Sequence, residues 1–252
     1  MRNRILDKIS TIEKEKKIKI WFACESGSRG WGFPSPGSDY DVRFIYSREQ
    51  KEYLSIQDPE LYLNFAIDDE LDINGWDLKK TLLLIKKSNT TPFEWLQSPI
   101  VYKEEAGFKE ELMAICYQYF NQRSNIFHYL GVAKGAMETI AEEEIKIKKL
   151  FYILRPLLAA QWCMEKNEIA PMTIQELLKL VPLNLKDLIT NLIEYKKDVE
   201  ESHIITIDSN LKKYINTTFQ SCTEFAGSIN TVIFEKDKLD LFFINKMGFD
   251  QR

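Results

Sequence analysis

The chain opens on a charged stretch in which Ile5, Ile9 and Ile12 recur at helical spacing, so residues 4–17 are expected to form a helix with one apolar face. The pattern then changes. Residues 18–24 (IKIWFAC) are a compact apolar and aromatic run, the signature of a buried strand. Residues 25–46 hold the chain's densest cluster of Gly, Ser and Pro and end in VRFIY, a second strand candidate rich in β-branched and aromatic residues. A short third strand is expected at Leu71–Gly75, followed by Asp77 as the N-cap of a helix over LKKTLLLIKK. From about residue 107 onward the pattern is almost wholly helical. Pro156 is expected to kink that region or to start a helix, because proline lacks the N–H and clashes with the preceding turn. Thr173 and Glu176 have the spacing of a capping box. The organisation is α+β: an α/β domain with a small mixed sheet over residues 1–106, then an α-helical domain over 107–252 packed against it. No low-complexity linker or internal repeat interrupts the two.

Composition narrows the class. The 252 residues are 44% hydrophobic and 29% charged, values of a globular chain long enough to bury a core without staples. The net charge of −4, from 34 basic and 38 acidic side chains, excludes a dedicated nucleic-acid coat protein and confines any nucleic-acid contact to a local patch. The cysteines, Cys24, Cys116, Cys163 and Cys222, include no CxxC pair and fit neither a zinc site nor a disulfide framework. With no signal-like apolar run at the start and no stretch near the ~20 apolar residues of a membrane span, the expected location is cytoplasmic, without membrane attachment.

The chemistry concentrates in residues 25–46. Asp39 and Asp41 are two apart at the head of a strand candidate, where side chains at i and i+2 share a face. Two carboxylates side by side repel unless a cation lies between them, and hard ions such as Mg²⁺ prefer such oxygens together with substrate phosphates. Upstream, Gly27 and Ser28 directly follow the first strand. Glycine lets backbone approach a ligand closely, and a helix starting there offers free N–H groups to a phosphate. A third acid is needed to complete a two-metal cage. Asp72 and Glu70 fall on one face of the third strand candidate; Asp72 is preferred and Glu70 held in reserve. Alone, a DxD is often a polar strand edge, a Gly-Ser a turn, and Asp72 a surface acid. Their order and spacing, with Asp39 eleven residues beyond Ser28, point to nucleotidyl transfer from a triphosphate.

The run GSRGWGFPSPGSDYD resembles the GS…DxD motif of polymerase-β superfamily nucleotidyltransferases. The wider wording, ESGSRGWGF with SDYDVRFIY, DDELDINGWDLKK and EWLQSPIVY, is similar to a bacterial and phage branch linked with RNA repair, over about residues 18–166. The resemblance implies a polymerase-β-type catalytic domain, Mg²⁺ (or Mn²⁺) held by Asp39, Asp41 and Asp72, and phosphate contact at Gly27 and Ser28. It implies transfer of a nucleoside monophosphate from a nucleoside triphosphate to an acceptor hydroxyl, an RNA end first. Transfer to a small molecule or a protein, or a nucleotide-binding regulator, are the competing readings.

Further nucleotide-binding candidates follow from spacing. Arg43 alternates away from Val42 and shares a face with Asp39 and Asp41, so it can enter the site or neutralise the acids. Arg29 flanks the same motif and reads more simply as a structural arginine. Lys148, Tyr152 and Arg155, spaced by four and three, share one helical face with Lys149 beside them, a stripe suited to phosphates and a base or else a solvated basic face. Trp76 sits just beyond the third acid, within reach of a base or else in the core. His128 and His203 have no partner at metal-ligand spacing.

Overall fold

The computed structural model describes residues 1–68, 70–137 and 143–248. In chain order the elements are α1 (Arg2–Lys16), β1 (Lys19–Glu25), α2 (Gly27–Trp31), β2 (Tyr40–Ser47), α3 (Gln50–Tyr53), β3 (Tyr62–Asn64), β4 (Leu71–Asp77), α4 (Leu78–Lys86), α5 (Thr90–Trp95), β5 (Val101–Glu104) and α6 (Phe108–Gln118). They continue with α7 (Gln122–Met137), β6 (Glu144–Lys146), α8 (Ile147–Lys166), α9 (Ile174–Leu177), α10 (Leu183–Lys196), β7 (Ile204–Thr206), α11 (Ser209–Ser228) and α12 (Asp237–Met247). The fold is mixed α/β, and its main sheet is mixed in strand direction.

The chain divides into two compact units: residues 1–30, 39–119 and 233–252 form the first, residues 31–38 and 120–232 the second. The line therefore does not fall at 106/107. Helices α6 and α12 belong with the sheet because Phe108 stacks on Trp21 of β1, with ring centroids 5.4 Å apart, and Phe242 packs on Phe108 at 6.2 Å. Residues 31–38 belong with the helices because Phe33 stacks on Phe151 of α8 at 4.9 Å.

The first unit is built on a five-stranded sheet in the order β3-β4-β2-β1-β5, with β2 and β4 parallel and the other pairs antiparallel. The apolar stripe of α1 (Ile5, Ile9, Ile12) joins Val42, Phe44, Tyr46 and Ile73 in one core under the sheet. β4 shows the alternation of a strand with two different faces: Leu71, Ile73, Gly75 and Asp77 are buried, while Asp72, Asn74 and Trp76 are half-buried. Gly75 is glycine for a packing reason, since a Cβ there would lie 2.1 Å from the Phe44 ring. β3 and β5, the two edge strands, are too short to have been read from the pattern.

Asp77 caps α4 as expected, its carboxylate accepting the Lys79 N–H at 2.8 Å and the Tyr53 hydroxyl at 2.7 Å. Burial pushes its pKa up to about 6 against an ordinary 3.8, although those two hydrogen bonds and Arg48 pull the other way. A carboxyl that holds its proton more tightly folded than unfolded favours the fold fully below about pH 3.8. It loses that contribution as the pH rises through about 6. The difference is worth roughly 3 kcal/mol at about 1.4 kcal/mol per pH unit. Asp77→Asn keeps an oxygen for the cap and removes the charge. Its melting temperature, relative to the parent protein, is expected to rise between pH 4 and pH 7; a gap independent of pH would contradict the assignment.

The second unit is helical, with α7, α8 and α11 sharing a core that contains Leu150, Phe151, Ile153, Leu154, Leu157 and Leu158. A small β6–β7 antiparallel pair interrupts the expected helical run. α8 runs through Pro156 from Ile147 to Lys166, so Pro156 does not start a helix. The cost of an interior proline, about 3 kcal/mol, is offset by complete burial of the neighbouring leucines. The expected capping box does not form either. Thr173 is the N-cap of α9 without a side-chain bond, and Glu176 pairs with Lys179 instead. The segment before Asp39 is tied down by two side chains of this unit. Lys196, 1% exposed, donates to Ser35 Oγ at 2.7 Å, and Ser38 Oγ donates to Glu201 at 2.8 Å.

Candidate active site

The parallel pairing of β2 and β4 sets Asp41 directly opposite Asp72, and Arg43 opposite Asn74. Residues opposite one another across neighbouring strands face the same side, so these four form one half-buried polar patch on the sheet face away from α1. One nitrogen of Arg43, Nη2, bridges the two acids, at 2.8 Å from Asp41 Oδ1 and 2.7 Å from Asp72 Oδ2. The other, Nη1, donates to the main-chain oxygens of Asp72 at 2.9 Å and Val42 at 3.1 Å. A single guanidinium thus relieves the repulsion that two adjacent carboxylates would otherwise suffer. Glu70, the reserve acid, lies outside β4, its main-chain oxygen accepting the Tyr40 N–H at 2.6 Å.

Asp39 is exposed and lies one residue ahead of β2, so the strand alternation expected for Asp39 and Asp41 begins only at Tyr40. Arg29 holds this point of the chain, Nε donating to the Asp39 carbonyl at 3.1 Å and the guanidinium lying 3.9 Å from the Tyr40 ring centroid. As placed, Asp39, Asp41 and Asp72 do not converge. Among the described residues, no three carboxylate, histidine or cysteine side chains come close enough to hold a metal ion together.

Gly27 and Ser28 begin α2, directly after β1. Gly27 has φ +57°, and a Cβ on it would lie 1.9 Å from Asp41 Oδ2. The turn therefore abuts the Asp41 carboxylate with no room for a side chain. Ser28 is 6% exposed.

Sequence reading missed Glu25. It is fully buried, and its register opposite Val42 turns it to the α1 face, beneath the patch. Its Oε1 accepts the Asp41 N–H at 2.8 Å and its Oε2 accepts the Tyr102 hydroxyl. Burial pushes its pKa up, with the Tyr102 and Asp41 hydrogen bonds opposing. The available signal was an acid closing an otherwise apolar strand, in ACESGS. Glu25→Ala leaves a buried N–H and a hydroxyl without their acceptor, at a cost on the order of 2–3 kcal/mol. Glu25→Gln keeps an acceptor oxygen for the Asp41 N–H and is expected to recover most of that in urea unfolding. Equal stability of the alanine variant and the parent protein would show that Glu25 does not hold the strand.

The remaining candidates lie in the second unit. Arg155 requires correction as a nucleotide contact. It is 3% exposed, donates to the Met172 carbonyl at 3.1 and 3.3 Å, and lies over the rings of Trp31 and Tyr129, which makes it a core arginine. Lys148 pairs with Glu201 and sits 5.9 Å from the Tyr152 ring centroid, and Tyr152 meets Trp31 edge-on at 5.6 Å. Lys149 is exposed. Of this stripe, Lys148, Lys149 and Tyr152 retain surface through which a ligand could be reached.

Comparison with known proteins gives the chain's family. A protein of Bacillus subtilis (strain 168) described as uncharacterized protein YcgL is 39% identical over 232 residues, covering 91% of this chain and 89% of the relative. The model of a family described as RlaP, RNA repair pathway DNA polymerase beta family, matches residues 1–245. With nearly its whole length matched, this chain belongs to the RNA repair pathway DNA polymerase beta family.

Proposed function

We propose that the protein is a metal-dependent nucleotidyltransferase that moves a nucleoside monophosphate from a nucleoside triphosphate to an acceptor hydroxyl, that of an RNA end. The observation that carries this reading is the pairing of Asp41 with Asp72 in register on parallel strands, with the Gly27 turn pressed against Asp41. The family supplies the reaction class, and its RNA repair description favours RNA as acceptor.

The donor chemistry fits a divalent cation such as Mg²⁺. Asp41 and Asp72 would hold it through the hard oxygens that Arg43 bridges in this structure, and Asp39, exposed one residue ahead of β2, would have to turn inward to add a third. When bound, such ions neutralise charge on the triphosphate and make the acceptor hydroxyl more acidic. Asp41 and Asp39 hold the triphosphate side of the site, and Asp72 orients the acceptor. Gly27 and Ser28 would offer their backbone to the phosphates. The hydroxyl gives its proton to the Asp72 carboxylate as its oxygen forms a bond to the α-phosphorus, the bond to the β-bridging oxygen breaks, and pyrophosphate leaves. Arg43 keeps the acids compensated in the absence of substrate. Two of its four hydrogen bonds, both to Asp72, also tie β2 to β4, so the carboxylates are held in place before substrate arrives.

The test is incubation with each α-labelled nucleoside triphosphate, Mg²⁺ or Mn²⁺, and a pool of transfer RNA and short RNAs. Label entering RNA is the expected result and identifies the nucleotide. Pyrophosphate release with unlabelled RNA would replace RNA by a small molecule or protein as acceptor. Tight triphosphate binding without turnover would replace the enzyme by a nucleotide-binding regulator.

A further inference from the structure

The sheet face that carries Asp41 and Asp72 continues toward the β3 edge as an aromatic surface. On β4, Trp76 follows Asp72 and Asn74 on the same face, four residues from Asp72, or about 13 Å at ~3.3 Å per residue. Tyr62 of β3 lies directly opposite Trp76 and is 45% exposed. Trp95 of α5 backs Trp76 with ring centroids 4.3 Å apart and fixes its ring. The Lys80 ammonium, from the first turn of α4, lies 4.8 Å from the Tyr62 centroid and 4.9 Å from that of Trp76. The stretch 78–90 (LKKTLLLIKKSNT) has four lysines and no acid, within a chain of net charge −4.

We propose that Tyr62, Trp76 and Lys80 form a platform for the unpaired end of the acceptor nucleic acid, with a base stacked on the exposed tyrosine and the lysine meeting a backbone phosphate. The inference rests on the nucleotidyltransferase reading above and adds to it the form of the acceptor: a single strand. Aromatic faces accept any base, and a cation beside them takes the charge of the strand, which is how single strands are held without regard to sequence. The spacing also suits the reaction. A base on the platform lies a few stacked nucleotides, at about 3.4 Å each, from a terminus at Asp72.

The experiment is fluorescence anisotropy of a short labelled single-stranded RNA, and of the duplex of the same sequence, without nucleoside triphosphate and across a salt titration. The proteins are the parent, Tyr62→Ala and Lys80→Ala, each checked by thermal melting for an unchanged fold. Tyr62→Ala is expected to weaken single-strand binding about fivefold or more and leave the salt slope unchanged. Lys80→Ala is expected to lower the slope of log K against log salt by about 0.7, the value of one phosphate contact on a single strand. The duplex, whose bases are already stacked, is expected to be insensitive to Tyr62→Ala. Parent-like single-strand binding by either variant, or an equal loss on the duplex, overturns the platform while RNA remains the acceptor. A parent protein that transfers nucleotide to another acceptor and binds no single strand overturns the platform and the RNA acceptor together.

Discussion

Asp41→Asn is expected to slow nucleotide transfer on the order of 10³-fold, the scale on which a single preorganised electrostatic group acts in a transition state. The substitution is nearly isosteric. The amide oxygen can still accept from Arg43 Nη2, and the hydrogen bond from the Asp41 main chain to Glu25 does not involve the changed atoms. Stability is therefore expected to change by no more than about 1 kcal/mol, as for a partly exposed ion pair. What is lost is one negative charge on the side of the site facing Gly27. The measurement is label transfer from the preferred nucleoside triphosphate, with a thermal melt of the same sample. Turnover within tenfold of the parent protein would remove Asp41 from the chemistry.

Gly27→Ala is expected to abolish transfer to a similar degree by a different route. Alanine at φ +57° costs about 1–2 kcal/mol of backbone strain. Its Cβ would also stand 1.9 Å from Asp41 Oδ2 and 2.7 Å from Asp41 Cγ, so the carboxylate must move. This variant is thus expected to lose both activity and roughly 2 kcal/mol of stability, whereas Asp41→Asn loses activity alone. Gly37→Ala serves as the control in the same glycine-rich stretch. Its Cβ would come no closer than 3.3 Å to anything, and that neighbour is the end of the Glu200 side chain. A Gly27→Ala protein as active as the Gly37→Ala control would mean that the turn does not constrain Asp41.

Much of the candidate site's placement could be read from the sequence because it is local. Gly27, Ser28, Asp39 and Asp41 lie within one strand–turn–strand unit, and Asp72 falls on a strand short enough for alternation to name its face. Glu25 escaped because an acid inside an apolar run has no local mark of its partner. Only pairing with β2 and β5 shows that it holds the Asp41 N–H and the Tyr102 hydroxyl. Arg155 misled for the converse reason. Helical spacing puts it on a face with Lys148 and Tyr152, but spacing cannot say that Met172 and Trp31 cover that face at its far end. The domain boundary was missed because the contacts that set it, Phe108 with Phe242 and Phe33 with Phe151, join residues more than a hundred positions apart.

The interleaving of the two units has a consequence for biosynthesis. The first unit's sheet is fully made once Glu104 has left the ribosome, yet α12, which covers Phe108 and Tyr53, begins at Asp237. At about 5–20 residues per second, the nascent sheet waits roughly 6–25 s between Tyr119 and Asp237 for its last helix, while residues 120–232 of the helical unit are synthesised in between. During that interval the α6 surface around Phe108 is open to holdase chaperones. A ribosome that stalls inside the helical unit releases a chain bearing every proposed catalytic residue and an unfinished core beneath them.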